Sequence, residues 1–162
     1  MTRHVTQARL KELLDYDSES GVFRWRESRG GSLAGAVAGT PAPGGLRIFV
    51  DRRSYLAHRL AWLYMTGEFP ADEIDHTNCN PMDNRWTNLR PATSQQNKRN
   101  TRRRSDNTTG YKGVSRVGRR YRAYIMVGGK QRQLGRYDTA EDAARAYEAA
   151  ARRIFGEFAR AA

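Results

Sequence analysis

The sequence predicts an α+β protein made of two units that a basic segment separates. Residues 6–97 alternate short helix-like and strand-like apolar patterns, bounded by Gly, Pro, Asn and Asp. After residue 110 the pattern becomes three strand-like segments followed by one long amphipathic helix. The intervening "KRNTRRRSDNTT" is charged and has no hydrophobic period. We therefore expect units at residues 1–97 and 110–162, with a basic linker at residues 98–109.

The first unit is expected to begin with a helix and a strand. Residues 6–15 have helical spacing, because Thr6 is a suitable N-cap and the leucines that follow form an apolar stripe. A turn at Ser20-Gly21 leads into a strand from Val22 to Trp25. Residues 28–45 are rich in Gly, Ala and Ser and contain two prolines, which predicts a loop.

A hairpin and a helix are expected next. The strand-like segments "LRIFV" and "RRSYLAH" flank Asp51-Arg52, which predicts a β-hairpin. The segment "YLAHRLAWLYMTGEF" has apolar residues at helical spacing, and Gly67 is placed to end that helix. Residues 75–92 are polar and turn-rich, and "TSQQNKRN" begins with residues that cap a further helix.

The second unit is predicted to be three strands and one helix. The strands are "YKGVSRV", "RYRAYIMV" and "QRQLGRYD", and glycine-containing turns precede the last two. The helix lies in "TAEDAARAYEAAARRIFGEF", where Thr139 caps it and Asp142 occupies the capping-box position. The middle strand should turn Tyr121, Ala123 and Ile125 toward the helix, and so present its other face outward: Arg122, Tyr124 and Met126.

Composition limits the class of protein. Hydrophobic residues make up 38% of the 162 residues, and no apolar run is long enough to cross a membrane. The N-terminus has no continuous apolar stretch of the kind that a secretory signal needs. A single cysteine, Cys79, excludes an intramolecular disulfide and a Cys-rich zinc site. We expect a protein of the reducing cytoplasm.

The positive charge is concentrated in one part of the chain. Residues 98–136 hold thirteen Lys or Arg and one acid, Asp106, which accounts for the whole net charge of +12. The remaining residues balance, with sixteen bases and sixteen acids. Such a block is either a solvated tail or a surface for a polyanion, and the interleaved tyrosines and strand patterning favour nucleic acid.

The segment "IDHTNCNPMDNRWTNLRPATSQQN" is polar, contains five asparagines and has an acid beside a histidine near its start. Asp75 and His76 point to opposite faces of an extended strand, so each can have its own task. An ionised Asp is a hard ligand for Mg²⁺, and a histidine can act as a general base at neutral pH. Phosphodiester hydrolysis needs both a base for water and a cation for the phosphate.

This segment resembles the ββα-metal core of HNH endonucleases, in the zinc-free branch found in phage and homing enzymes. The resemblance implies that Asp75 and Asn97 bind one divalent metal ion, Mg²⁺ with Mn²⁺ as the alternative, without structural zinc. It implies that His76 is the general base. Asn88 would be the middle Asn of the motif, which fixes the loop and so orients the histidine, although Asn84 is also well placed for this.

Other polar and aromatic residues of this region have simpler explanations. The upstream "YLAHRLAW" also matches the branch, and His58 is either close to the active site or a half-buried structural histidine. Asn78 and Asn80 are expected to form turns, and Trp62 and Trp86 to be packing anchors.

The second unit resembles the DNA-binding domain of plant ethylene-response factors, the Apetala-type domain. This implies a three-stranded antiparallel sheet that packs on one helix and lies in the major groove. The implied contact positions are Lys112, Gly113, Ser115, Arg122, Tyr124, Met126, Gln131 and Gln133. Several arginines and tryptophans of the plant family are absent here, so its recognition sequence does not transfer. Four further arginines are expected to bind phosphates: Arg116, Arg119, Arg120 and Arg132.

The basic linker is expected to contact DNA as well. An extended basic strand can follow the phosphate backbone or enter a minor groove. Its five bases are Lys98, Arg99, Arg102, Arg103 and Arg104.

We therefore expect a metal-dependent endonuclease that cleaves double-stranded DNA, from a phage or mobile element that acts in the cytoplasm of a bacterial host. It should work as a monomer or weak dimer, without a membrane. The alternative is a sequence-specific DNA-binding regulator whose nuclease core is inactive. An RNA-directed enzyme is disfavoured, because the sequence has no aromatic single-strand platform motif.

Overall fold

The fold is of mixed α and β type, as the sequence predicts. The structure is a computed structural model that describes residues 4–99 and 107–159. The chain divides into two compact units, Met1–Ser94 and Gln95–Ala162; in the described residues the first contains three small antiparallel sheets and the second contains one. None of the helices in the described ranges is both long and apolar enough to span a membrane.

The first unit opens with helix α1 (Gln7–Leu13), followed by the paired strands β1 (Leu14–Asp17) and β2 (Val22–Trp25). The Thr6 hydroxyl caps α1 by accepting from the Arg9 N–H at 3.2 Å. The prediction that this helix reaches residue 15 is wrong. Leu14 instead pairs with Trp25 and is fully buried, because strand pairing places Leu14 and Tyr16 on the core side.

A three-stranded sheet follows, in the order β3 (Thr40–Ala42), β4 (Gly45–Val50) and β5 (Arg53–Leu56). The predicted hairpin around Asp51-Arg52 is confirmed, with Val50 paired to Arg53. Strand β3 lies within the segment predicted to be a loop. Its central Pro41 masks the strand in the sequence, but an edge strand tolerates proline because one side of it is unpaired.

The turn of this hairpin carries unusual residues. Asp51 and Arg52 have φ of +45° and +64°, as both central residues of a type I′ turn must. A side chain in this conformation is strained, and glycine relieves the strain. We expect Arg52→Gly to raise the free energy of unfolding by about 0.5–1 kcal/mol. Urea unfolding followed by tryptophan fluorescence measures this, since all three tryptophans lie in the first unit; a loss of stability would contradict it.

Helix α2 (Ala57–Thr66) covers the inner face of that sheet and ends at Gly67, whose φ of +89° confirms the predicted C-cap. The largest fully buried side chains of the first unit's core are Phe23, Leu10, Leu14, Ile48 and Leu60. Strands β6 (Glu73–His76) and β7 (Leu89–Ala92) form an antiparallel pair. A loop with a 3₁₀ turn at Trp86–Asn88 joins them, and helix α3 (Ser94–Arg99) follows.

The second unit has strands β8 (Val114–Val117), β9 (Arg120–Val127) and β10 (Lys130–Tyr137), with β9 in the centre. Helix α4 (Ala140–Phe155) begins at Thr139, whose hydroxyl accepts from the Asp142 N–H at 3.1 Å. Ala123 and Ile125 are buried against α4, which confirms the predicted inner face of β9.

Only part of the predicted linker is described. Lys98 and Arg99 belong to α3, so these two residues are helical rather than extended. Three of the predicted DNA contacts lie outside the described residues: Arg102, Arg103 and Arg104.

Candidate active site

Two consecutive ionisable residues at the end of β6 both have buried side chains. Asp75 is 3% exposed and His76 is 7% exposed. Adjacent residues on a strand direct their side chains to opposite faces, so the two have different neighbours. Burial of an acid and a base at the end of a two-stranded sheet is costly, and each must be stabilised by a partner.

Arg90 is the partner of Asp75. The two residues stand opposite each other in the register of β6 and β7. The Arg90 Nε and Nη2 atoms both donate to Asp75 Oδ2, at 2.9 and 2.7 Å. The Asp75 side chain is 4% exposed and that of Arg90 is 15% exposed, so this is a buried ion pair. The attraction between the two charges offsets part of the free-energy cost of burying them.

Asn84 is a partner of His76. Its Oδ1 lies 3.4 Å from His76 Nε2, and its Nδ2 donates to the Met82 carbonyl at 3.2 Å. The second contact fixes the orientation of the amide, so the oxygen faces the ring. An amide oxygen only accepts, so this contact suits the tautomer of His76 that carries its proton on Nε2.

His58 lies beside His76 and is also buried. The two rings are perpendicular, with centroids 4.9 Å apart. Burial, together with the charges of His76 and Arg59, lowers the pKa of His58 to about 3, so this residue is neutral. Its Nδ1 atom is buried and has no hydrogen-bond partner among the described residues. Burial also lowers the pKa of His76, against the opposing effects of Asn84 and the nearby acids.

The site loop, residues 77–88, is held by its own asparagines. Asn88 Oδ1 accepts from the Asn78 N–H at 3.0 Å, while its Nδ2 donates to the Asp83 carbonyl at 2.7 Å. Asn78 and Asn80 accept from backbone N–H groups two residues ahead, at 2.8 and 3.2 Å, so both are turn formers as predicted. Asn88 therefore closes the loop, whereas Asn84 makes the contact with the histidine.

The turn between β1 and β2 packs against the site loop. The Tyr16 hydroxyl donates to the Asn84 carbonyl at 2.7 Å, and the Trp86 N–H donates to the Ser18 carbonyl at 3.0 Å. A Cβ atom on Gly21 would lie 2.4 Å from the Asn84 carbonyl carbon and the Arg85 nitrogen. Sequence reasoning missed this contact, although the Ser20-Gly21 turn was the available signal. The turn thus contacts the backbone of Asn84, the residue whose side chain meets His76.

The donor chemistry of the site fits a hard divalent cation. The described residues contain no group of three or more His, Cys, Asp and Glu that could hold a metal. Mg²⁺ does not need such a group, because it is often held by one or two carboxylates together with substrate phosphates. Asp75 supplies a buried carboxylate. Asn97 lies on α3, beyond the end of the first compact unit at Ser94, and its role as second ligand stays a prediction.

The sheet of the second unit has a polar face opposite α4. The Arg122 guanidinium lies 5.6 Å from the centre of the Tyr124 ring, and Met126 is 51% exposed on the same face. The register adds Gln133 opposite Tyr124 and Gln131 opposite Met126. Arg136 stands opposite Arg122 and was missed by sequence reasoning. The buried Nε of Arg122 has no partner within the described part of the chain.

The other residues predicted to contact DNA do not all lie on this polar face. Arg116 pairs with Tyr121 and Arg132 with Ile125, so the register puts both on the α4 side of the sheet, although both are exposed. Arg120 lies on the polar side and forms an ion pair with Asp138 at 2.8 Å. Arg119 is exposed in the turn before β9, and Lys112 is half-buried ahead of β8.

Comparisons with known proteins give a family match that lies mainly in the first unit. Residues 55–99 match the HNH endonuclease family. An uncharacterized HNH endonuclease of Acanthamoeba polyphaga mimivirus is 33% identical over 118 residues, which cover 71% of this chain and 61% of that protein. Protein 3.8 of Escherichia phage T7 is 33% identical over 106 residues, which cover 64% of this chain and 87% of that protein. No solved structure gives a significant match.

Residues 55–99 are therefore similar to an HNH endonuclease domain, and the wider chain is similar to the two viral proteins, of which it spans 61% and 87%. Members of this family are nucleases that act on DNA and generally use a divalent metal. The matched segment contains His58, Asp75, His76, Asn88 and Asn97. The match ends at residue 99, before the three-stranded sheet and α4, and the resemblance of that sheet and helix to ethylene-response factors stays a prediction.

Proposed function

We propose that the protein is a metal-dependent endonuclease that hydrolyses phosphodiester bonds of double-stranded DNA. The observation that carries the proposal is the buried Asp75–His76 pair, with Arg90 on the acid and Asn84 on the base. An ordinary Asp-His pair on the protein surface would be solvated, whereas here both side chains are buried and each has its own hydrogen-bond partner. General acid–base chemistry needs such fixed geometry.

His76 acts as the general base. Asn84 Oδ1 lies 3.4 Å from Nε2 and orients the ring, and the neutral imidazole accepts a proton from the attacking water. Its neutral state at pH 7 follows from burial, which lowers its pKa. Asp75 and Asn97 would hold one divalent metal, Mg²⁺ or Mn²⁺, through hard oxygen atoms. A bound metal supplies positive charge for the phosphate and the leaving oxygen.

The second unit is proposed to bind duplex DNA through its polar sheet face. Arg122 and Tyr124 lie together on this face, and Met126 is exposed on the same side. The Arg122 and Tyr124 side chains and the two glutamines across from them on β10 can reach base edges, whereas exposed arginines around the face position the backbone.

The alternative is a DNA-binding regulator with an inactive nuclease core. One observation favours it: Arg90 already occupies Asp75 Oδ2, and a guanidinium competes with a metal for that carboxylate. The competition is not decisive, because a carboxylate has two oxygens and several lone pairs.

A supercoiled-plasmid assay separates the two functions. We expect open-circle or linear product with Mg²⁺ or Mn²⁺ and none with EDTA, because the reaction depends on a bound cation. Plasmid that is bound but intact with every metal tested would support the regulator. Cleavage that persists in EDTA would contradict the metal dependence.

The activity should persist to a lower pH than an ordinary histidine allows. Only neutral His76 accepts a proton, so the rate falls as pH drops through its pKa, which burial has lowered from 6.5. The acid limb of the pH–rate profile is therefore expected below pH 6.5. The profile of single-turnover cleavage measures it, with the residual rate of His76→Ala as control. An acid limb centred above pH 6.5 would contradict the assignment.

A further inference from the structure

A sheet face of the first unit is open to solvent although its strands lie over the core. In the register of β3, β4 and β5, Arg47 stands between Thr40 and Leu56, and Phe49 stands opposite Ser54. We call these five side chains the outer β4 face. Ile48 and Val50 alternate with them and are fully buried on the other side. Phe49 is 64% exposed, which is a large apolar exposure for a strand residue.

The surroundings of this face are basic. Residues 40–56 contain three arginines and a single acid, Asp51. Asp51 is already bound by Arg9 and Arg29, at 3.1 and 3.2 Å, so it does not neutralise the arginines of the sheet. Arg47 and Arg52 are both exposed, and no ion pair or hydrogen bond of their side chains occurs within residues 4–99 and 107–159. The outer β4 face and the hairpin turn at its end therefore offer two guanidinium groups, those of Arg47 and Arg52, and the aromatic ring of Phe49.

The outer β4 face starts beside the site loop. Gly45, the first residue of β4, is so close to Pro81 that an added Cβ would lie 2.6 Å from the Pro81 carbonyl oxygen. A strand rises about 3.3 Å per residue, which places Phe49 roughly 13 Å further along β4. Arg52 lies at the far turn of the hairpin. This distance is well within one turn of duplex DNA, which spans about 34 Å.

We propose that the outer β4 face is a DNA-contacting surface of the nuclease unit. Arg47 and Arg52 bind phosphates of the duplex beside the cleaved bond, and Phe49 packs against its sugars. The inference rests on the proposed function only in taking DNA as the substrate. It assigns DNA contacts to a part of the chain outside both the catalytic residues and the basic second unit.

The composition of the face favours duplex DNA over other partners. A protein partner would need a larger apolar centre depleted of charge, but here one exposed aromatic is bordered by arginines. Single strands are bound by successive stacked aromatics, whereas this face has only Phe49. The strained turn agrees with this role, because Arg52 keeps a long cation at a position where glycine is conformationally better.

Photo-crosslinking tests the contact directly in the full chain. A photoreactive benzoylphenylalanine replaces Phe49 in a His76→Ala background, which binds DNA without cleaving it. The control carries the same group at Met65 on α2, which is 43% exposed and outside this face. We expect crosslinks to duplex DNA from position 49 and not from position 65. Binding without a crosslink at position 49, or crosslinks to single strands in preference to duplex, would overturn the proposal.

Charge variants give a second, independent measurement. Each phosphate contact that is lost lowers the slope of log affinity against log salt by about 0.9. We expect that decrease for Arg47→Gln and for Arg52→Gly, and none for Arg153→Gln on the exposed side of α4. Because Arg52→Gly relieves backbone strain, weaker binding with unchanged or higher stability excludes misfolding. Slopes equal to wild type in both variants would contradict the proposal.

These measurements fail separately from the nuclease proposal. If position 49 crosslinks to DNA but the wild-type protein never cleaves plasmid, the proposed nuclease activity is wrong and the proposed DNA-contacting surface stands. If cleavage requires His76 but position 49 gives no crosslink and the charge variants leave the salt slope unchanged, the nuclease proposal stands and the proposed DNA-contacting surface is wrong.

Discussion

Asp75→Ala is expected to abolish DNA cleavage and to lower the free energy of unfolding of the first unit by about 3–5 kcal/mol. The loss of activity follows if Asp75 supplies the carboxylate that we propose to bind the metal. The loss of stability has another cause, because the Arg90 guanidinium would remain buried without its partner. Urea unfolding followed by tryptophan fluorescence measures the second effect, and DNA binding by the second unit should persist in a gel-shift assay.

Paired variants separate the two effects of Asp75. Asp75→Leu combined with Arg90→Met removes both charges and keeps similar volumes, so stability should return close to wild type. Cleavage should not return, because no carboxylate is restored. Recovery of both stability and cleavage in the double variant would show that Asp75 has only a structural role. Full stability of Asp75→Ala alone would contradict the buried ion pair.

Gly21→Ala is expected to have the second large effect. Gly21 has φ of +75°, and a Cβ there would lie 2.4 Å from backbone atoms of Asn84 and Arg85. Backbone cannot yield as a flexible side chain does, so the β1–β2 turn must move away from the site loop. We expect a loss of about 2–4 kcal/mol in the free energy of unfolding from strain and overpacking together. Cleavage should fall as well, because Asn84 would no longer meet His76 correctly.

Gly35→Ala is the matched control for this prediction. Gly35 has φ of +80°, almost equal to that of Gly21, but a Cβ there would meet no atom within 4 Å beyond its immediate chain neighbours. Its substitution should cost only the conformational strain, about 1–2 kcal/mol, and leave cleavage unchanged. The difference between the variants therefore measures the steric contact. Equal effects on stability and cleavage would show that the turn does not support the site.

Local patterns were sufficient for the elements with strong periodicity. Helix α2 with its Gly67 cap, the hairpin around Asp51-Arg52 and the sheet with α4 all follow from spacing and turn residues. Each of these elements has its signal within one continuous segment. The strand β1 could not be predicted in this way, because Leu14 also continues the apolar stripe of α1 and only pairing with β2 makes it a strand.

For the candidate site too, the sequence indicates the residues of one continuous segment but not the contacts that form between strands. The sequence alone singles out Asp75, His76 and the asparagines of the site loop by type and spacing. It does not show that Arg90 neutralises Asp75, because that pair arises from the register of β6 and β7. It also left Asn84 and Asn88 as alternatives for orienting the histidine. Only the folded loop shows that Asn84 contacts the ring while Asn88 holds the backbone.

The most direct test of the central claim is single-turnover cleavage of supercoiled plasmid by wild type and His76→Ala in Mg²⁺, with DNA affinity measured on the same preparations. If His76 is the general base, the variant should cleave about 10²–10⁴-fold more slowly and bind DNA as tightly as wild type. A variant that binds equally well and cleaves at the wild-type rate would contradict the account, since the buried histidine would then have no part in the reaction.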